Sequence, residues 1–286
     1  MSATPSQSRL SDQTISDFGD QWRRYTDNEG YYGTLAILQG TFEPLLRLED
    51  LQGKRVAEIG SGTGRIVKML LQAGAKEVTA IEPSAAFEVL KRNLSDDSDR
   101  VVLLNRAGHE IPRDGAYDFV VSIGVIHHIP NPDPVIAASL GALRPGGKMV
   151  VWLYGKEGSG VIVTGIRMLR TVTTRLPHFV VAAIAHVLSL ALNLYIYACR
   201  FIPGLPLRDY VKNVLGRFSR SKRYLVIYDQ LRPAYAKYYC EAEARALLES
   251  NGFADVQTHF RYGYSWTVVG TRAVNAEHAF AAPAGR

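Results

Sequence analysis

Glu58-Ile59-Gly60-Ser61-Gly62-Thr63-Gly64 is the stretch on which the fold turns. It closes a short apolar run, Arg55–Ile59, that reads as a buried strand. It opens Arg65–Ala73, which has helical periodicity and stops at Gly74. Strand, glycine-rich turn and helix in that order aim helix N–H groups into a gap, and glycine lets the main chain approach a ligand closely. Dinucleotide-binding loops follow G-x-G-x-x-G, which would place glycine at 60, 62 and 65. Position 65 is arginine, and the third glycine, Gly64, comes one residue early.

Working outward, Glu77–Glu82, Arg100–Asn105, Asp118–Gly124 and Lys148–Tyr154 read as further strands. Between them lie a helix at Ala85–Leu94, with Ser84 placed as its N-cap, and a helix at Asp133–Leu143 followed by the turn Pro145-Gly146-Gly147. Strands of near-continuous apolar content separated by helices imply a parallel sheet covered on both faces. After Gly155 the pattern changes to a link, Gly155–Gly160, and an apolar, basic, helical stretch from Val161 to about Arg223. Alternation resumes with a helix at Glu241–Ser250 and a hairpin, Asp255–Tyr262 and Tyr264–Arg272, turning at Gly263. The expected fold class is α/β: a Rossmann-like, doubly wound, mostly parallel seven-stranded sheet with a terminal β-hairpin and a helical insertion between strands five and six. The expected divisions are a disordered tail (1–15), an N-terminal helical cap (16–53), a cofactor-binding core (54–154), a helical lid or membrane-interface insertion (155–224), completion of the core (225–274) and a flexible tail (275–286).

The early third glycine, the acid two residues before Gly60, and Glu82 at the end of strand two together resemble motif I and its partner acid in class I S-adenosylmethionine-dependent methyltransferases. Tyr117-Asp118-Phe119-Val120-Val121-Ser122 is similar to the fourth strand of that family, and Leu143-Arg144-Pro145-Gly146-Gly147 to the turn before its fifth. The resemblance covers residues 54–154 strongly and 241–272 in outline. It implies S-adenosyl-L-methionine as cofactor and methyl transfer as activity, with an NAD-dependent enzyme and a non-catalytic cofactor-binding module as the alternatives. The cofactor would be held by Glu58, Gly60, Ser61, Gly62 and Gly64 in the loop, and by Glu82 and Pro83, whose carboxylate suits the ribose hydroxyls. It would also meet Gly108 and His109 at the adenine, with Ser122 and Gly124 at the end of strand four. Where the family carries an Asp for the adenine amino group this chain has Ala107, so backbone at Gly108 and His109 or the side chain of Glu110 takes that place. Trp22 and Tyr25, in an aromatic, polar patch from Phe18, either close the cofactor site or pack a helix.

Methyl transfer from a sulfonium is an in-line displacement, so the protein chiefly aligns and desolvates the acceptor. A base is required only if the acceptor must lose a proton. His127 and His128, just past strand four, are the candidate catalytic residues, with a structural role as the alternative. No compact ligand spacing links His109, Glu110, His127 and His128, so no metal is expected. Tyr228, Asp229, Tyr235, Tyr238 and Tyr239 either line the acceptor pocket or pack a helix face.

The chain has 286 residues, 47% hydrophobic and 21% charged, a globular composition. Its two cysteines, Cys199 and Cys240, exclude a disulfide framework, which fits a reducing, cytoplasmic setting, and the polar N-terminus does not read as a signal peptide. The net charge of +6 is unevenly placed. Val161–Tyr224 holds ten basic residues and one acid, a local +9 that leaves −3 on the remainder. Within it Phe179–Cys199 runs 21 residues without a charge, long enough to span a bilayer. Spanning is set aside, because the strands after it must complete the sheet. A buried lid and a monotopic element at the inner membrane face, with its flanking Arg and Lys on an anionic surface, both remain open. Either one implies an apolar small-molecule or lipid-like acceptor. An RNA methyltransferase is the rival; nucleic acid is not expected as a partner, because the basic residues alternate with Val, Ile, Leu and Ala instead of aromatics. The sequence assigns no oligomeric state.

Overall fold

The protein is described from a computed structural model covering residues 5–157 and 160–274. In chain order the elements are α1 (Pro5–Arg24), α2 (Leu35–Phe42), β1 (Arg55–Ile59), α3 (Arg65–Gln72), β2 (Glu77–Ile81), α4 (Phe87–Asn93), β3 (Val101–Leu104), β4 (Tyr117–Ile123), α5 (Asp133–Ala142) and β5 (Leu143–Tyr154). There follow α6 (Gly160–Thr173), α7 (His178–Phe201), α8 (Arg208–Asn213), α9 (Arg220–Leu231), α10 (Glu241–Glu249), β6 (Ala254–Arg261) and β7 (Ser265–Thr271).

The seven strands form one sheet in the order β3-β2-β1-β4-β5-β7-β6, parallel throughout except that β7 runs antiparallel to both its neighbours. Successive residues alternate between two cores. Val56, Val78, Phe119, Val121 and Val150 face the side covered by α2, α3 and α4, while Ala57, Ile59, Val120, Met149 and Val151 face α5 and α10. Both faces are buried, which is why the strands read as continuous apolar runs. The chain winds outward from β1 to β3 and then returns to β4 on the other side of β1. That reversal opens a crevice at the carboxyl ends of β1 and β4, the place where doubly wound sheets bind ligands.

Three boundaries differ from expectation. The segment expected as a disordered tail is helical from Pro5, because α1 is amphipathic: Thr14 and Gln21 are buried, while Gln7, Ser8 and Ser11 line a cavity together with Ile15, Phe18 and Trp22. An apolar run was the wrong signal for a helix with that job. The glycine turn after α5 is drawn into β5, since Gly146 N–H donates to Arg272 O at 2.8 Å and Arg272 N–H to Gly147 O at 2.8 Å. The insertion extends to Leu231 and not 224, because Tyr224, Tyr228 and Leu231 of α9 pack with Val181 and Ala185 of α7 into a small core of their own. The change of charge near 224 therefore marks no packing boundary. The tail expected over 275–286 lies outside the described residues.

Candidate active site

The loop after β1 is held open by backbone geometry. Gly60, Gly62 and Gly64 have φ of 77°, 52° and 83°, in the left-handed region. At Gly60 a Cβ would stand 2.4 Å from Val125 Cγ2, so the loop after β4 closes on it and excludes any side chain. Gly62 N–H donates to Glu82 Oε2 at 2.8 Å and Ser84 N–H to Glu82 Oε1 at 2.9 Å. The buried Glu82 carboxylate thus clamps the loop after β1 to the turn after β2, and each oxygen keeps further lone pairs for hydroxyl donors. Asn105 Nδ2 donates to Glu82 O at 2.8 Å and fixes the turn from the other side. Glu58 lies deeper; burial pushes its carboxyl up to about 8, and Oε2 has no hydrogen-bond partner among the described residues.

These groups line a cavity of about 580 Å³, within the few hundred to a thousand Å³ typical of small-molecule sites. Glu58, Gly60, Ser61, Gly62, Glu82, Pro83, Gly108, His109 and Gly124 are all in its wall. Gly64 and Ser122 are not. Gly64 starts α3 against Leu90 and Leu94, and Ser122 lies under the floor, where its hydroxyl donates to Ile59 O at 3.3 Å. Glu110 spends its carboxylate on Ala107 N–H at 2.8 Å, capping its own turn. The fourth side is α1, which contributes Phe18 and Trp22; Trp22 Nε1 would stand 3.5 Å from a Cβ on Gly62. Tyr25 turns away from this cavity, its hydroxyl 3.0 Å from that of Tyr224.

Arg65 also lines the cavity, donating to Tyr32 O at 3.1 Å, with its guanidinium 4.0 Å from the Tyr32 ring centre. In the sequence it figured only as the residue that breaks the dinucleotide spacing. The wall suits an adenosyl amino acid. A clamped carboxylate suits a ribose, and a carboxyl with one free oxygen, Glu58 Oε2, near an arginine suits an amino acid's ammonium and carboxylate.

His127 and His128 are both buried. His128 belongs to the cavity wall and its Nδ1 is 2.8 Å from Tyr235 O, which assigns the proton to Nδ1 and leaves Nε2 as the acceptor. Burial holds its pKa down to about 3. His127 does not line the cavity. Its ring lies 3.9 Å from that of Tyr154, neither nitrogen has a partner among the described residues, and burial then His128 hold its pKa well below the usual range. Both rings are therefore neutral near pH 7. Behind them Trp152, Tyr154, Tyr238 and Tyr264 form an aromatic wall between sheet and insertion, with Tyr238 stacked on Tyr154 at 5.4 Å. Asp229, on α9, accepts from Gln21 of α1, and burial pushes its carboxyl up to about 7. Tyr228 instead meets His178 at 2.6 Å, inside the insertion. Tyr235 serves through its carbonyl and Tyr239 through its N–H, which donates to Tyr154 O at 2.9 Å. Among the described residues no group of three or more His, Cys, Asp or Glu is placed to hold a metal ion.

Residues 57–151 match the methyltransferase domain family, and this part of the chain is a class I, S-adenosylmethionine-dependent methyltransferase domain. The tRNA U34 carboxymethyltransferase of Shewanella sp. (strain ANA-3) is 36% identical over 108 residues, which cover 36% of this chain and 32% of that protein. The tRNA U34 carboxymethyltransferase of Klebsiella pneumoniae is 29% identical over 164 residues, covering 55% and 46%. The chain thus spans between about a third and a half of the length of these curated relatives. The pyocyanin biosynthetic protein PhzM shares the fold with a TM-score of 0.51 at 17% identity, over 83% of this chain and 55% of that one. These findings correct one expectation: nucleic acid was not expected as a partner, yet the curated relatives are named for action on tRNA. Alternation along the sequence misled because it ignores folding. Arg200 of α7 and Arg220 and Arg223 of α9 line one recess together with Tyr25, Tyr197 and Tyr224, a grouping that their order in the chain does not show.

Proposed function

We propose that this protein transfers a methyl group from S-adenosylmethionine to an RNA acceptor of the tRNA class. The observation that carries the transfer is the Glu82 clamp over the glycine loop, inside a cavity roofed by α1. The cofactor supplies an electrophilic methyl on a sulfonium, a good leaving group. This chain's residues do the remainder. Glu82 binds the ribose hydroxyls, Glu58 and Arg65 hold the amino-acid end, and Phe18 and Trp22 exclude water from above. His128, neutral and fixed by Tyr235, shapes the wall beside the acceptor; it accepts a hydrogen bond there and is too weak a base to remove a proton at neutral pH. The RNA part of the reading is supported by the names of the relatives of the core.

Incubation with methyl-labelled cofactor and a pool of tRNA, small-molecule extract and lipid extract tests this. Label is expected in the RNA fraction. Label confined to another fraction removes the RNA acceptor, and no S-adenosylhomocysteine from any fraction leaves a binding module.

A second reading concerns location and rests on one face of α7. Phe179, Val187, Leu190, Leu194 and Phe201 are exposed by 72%, 70%, 65%, 67% and 67%, on a 24-residue helix that contains an 18-residue window of mean hydropathy 2.1. This ridge favours a peripheral seat on an apolar surface such as a membrane interface. α7 is long and apolar enough to cross a bilayer, but β5 before it and β7 after it are paired in one sheet. Co-sedimentation with anionic vesicles tests the seat, and absence of binding at low salt removes it.

A further inference from the structure

A second recess lies outside the cofactor cavity, between α7 and α9, with a volume of about 740 Å³. Its lining contains no acid. Arg200 comes from the end of α7, Arg220 and Arg223 from the first turn of α9, and Tyr25, Tyr224, His186, Leu190, Ile196 and Tyr197 complete most of the wall. Arg223 is spoken for: it donates to Leu215 O at 2.9 Å, to Gly216 O at 2.8 Å and to Asn193 Oδ1. Burial first, and then Arg220 and Arg200, hold its pKa below the usual guanidinium range. Arg200 and Arg220 make no hydrogen bond or ion pair with any described residue. Three guanidiniums are thus gathered with no acid in the lining, and Arg200 and Arg220 are exposed and free to meet an anion.

The surroundings indicate what would neutralise them. His186 stacks on Tyr224 at 4.4 Å and 28°, and the Tyr25 ring lies 5.9 Å from that of Tyr224, so flat rings stand beside the charges. Ser221, Ser189 and Asn193 add hydroxyl and amide groups. Guanidiniums tracking a backbone beside exposed rings are the means by which proteins hold single-stranded nucleic acid. Tyr25 lies three residues beyond Trp22, and Trp22 is in the roof of the cofactor cavity. The recess and the cavity are therefore back to back across the end of α1. Leu190 of the α7 ridge also lines the recess, with Ile196 and Tyr197, so an anionic lipid is the competing occupant; the rings and the hydroxyl and amide groups beside the arginines favour a nucleic-acid backbone.

We infer that the α7–α9 recess is a phosphodiester-binding site that grips the backbone of the RNA acceptor through Arg200 and Arg220, with Arg223 as a fixed charge behind them. The inference rests on the RNA reading of the function and adds where the RNA is held. No residue lining the recess falls within residues 57–151, so the methyltransferase family match does not assign it.

The test compares wild type, Arg200→Gln/Arg220→Gln and Arg200→Lys/Arg220→Lys, full length, by fluorescence anisotropy with a labelled single-stranded RNA 12-mer and with bulk tRNA. The Gln pair is expected to weaken RNA binding about tenfold or more and to lower the salt slope by about 1.4, the loss of two single-strand phosphate contacts. The Lys pair should keep most of the affinity. S-adenosylhomocysteine affinity by calorimetry should match wild type in both, which shows that the fold is intact. Unchanged RNA affinity in the Gln pair overturns the inference. So does wild-type protein that ignores RNA but binds anionic phosphatidylglycerol vesicles through the same two arginines. If RNA is bound through these arginines but never labelled by the cofactor, the recess stands and the proposed acceptor falls. If RNA is labelled equally well by the Gln pair, the acceptor stands and the recess falls.

Discussion

The glycine loop and the α7–α9 recess are both ligand-shaped, and they are built in opposite ways. The loop takes nearly all its chemistry from one strand-turn-helix and the end of the next strand, Glu58 to Glu82. Its geometry is fixed by backbone conformation, so only glycine satisfies it, and the residue types betray the shape. The recess takes His186 and Arg200 from α7, Arg220 from α9 and Tyr25 from just beyond α1, spread over nearly two hundred residues. Its geometry depends on the rotation of α7 against α9, which leaves no spacing to read. A site made by turns is legible in the chain; a site made by helix packing is legible only after folding.

The strongest way to break this contrast is at Glu82. Glu82→Ala removes the clamp and two charge-assisted hydrogen bonds to a ribose, and should cost roughly 2–4 kcal/mol of cofactor affinity, measured by calorimetry with S-adenosylhomocysteine. RNA binding should change little, because the recess lies on the other side of α1. Loss of both ligands together would mean that the two regions are one site.

A smaller effect sharpens how the loop is built. Gly60→Ala combines a φ of 77° with a Cβ 2.4 Å from Val125 Cγ2, and should destabilise the protein by about 1–3 kcal/mol. Val125→Ala in the same chain relieves the clash but not the φ, so it should restore part of the loss. Full restoration in thermal melts would mean that the left-handed conformation carries no strain, and no restoration would mean that the loop has moved elsewhere.

What the sequence made legible follows the same division. The seven-stranded, mostly parallel sheet and its terminal hairpin were readable because burial on both faces leaves continuous apolar runs between glycine turns. Nine of the cofactor residues named from the sequence line the cavity because the loops that bear them follow directly from those strands. Ser122 missed by facing the sheet interior, one side chain out of phase with the cavity. Arg65 went unnamed because its role depends on Tyr32, a contact across 33 residues. The part of α1 before residue 16 was read as a tail, since it carries serine and glutamine where a core helix carries leucine.

Buried ionisable groups give the next prediction. The folded pKa of Asp229, about 7, is raised above its unfolded value. The folded protein therefore holds the proton more tightly, and stability falls as pH rises from about 4 to 7. Glu58, raised to about 8, acts in the same direction up to that pH. His128, depressed to about 3, acts oppositely, adding stability as pH rises toward its unfolded value near 6.5. The two trends offset below about pH 6.5, and above it the carboxyls alone act, so Tm should decline from pH 6.5 to pH 8. Asp229→Asn removes part of the decline and should raise Tm at pH 8 by about 2–5 °C while changing it little at pH 5. A neutral group suits the place: Gln21 Oε1 is buried without a partner, and a protonated or amide side chain at 229 offers it a donor. Equal effects at both pH values would mean that Asp229 stays ionised in the fold.

The smallest expected effect lies on α7, where one helix shows both ways of using apolar residues. Val181 and Ala185 are fully buried against α9, while Leu190 and Leu194 stand in solvent. Leu190→Gln/Leu194→Gln should leave the fold's stability within about 0.5 kcal/mol, because an exposed side chain has little burial to lose. Val181→Ala, on the inner face, serves as the control that α7 packing is measurable by the same melt. If the ridge seats on a membrane interface, the Gln pair should also reduce vesicle co-sedimentation at unchanged salt dependence, since it removes apolar area and no charge. The arginine pair of the recess should do the reverse to RNA binding, altering the salt slope. A fall in Tm of more than about 2 °C in the Gln pair would show that the ridge is covered within the protein, and the difference between the two faces of α7 would disappear.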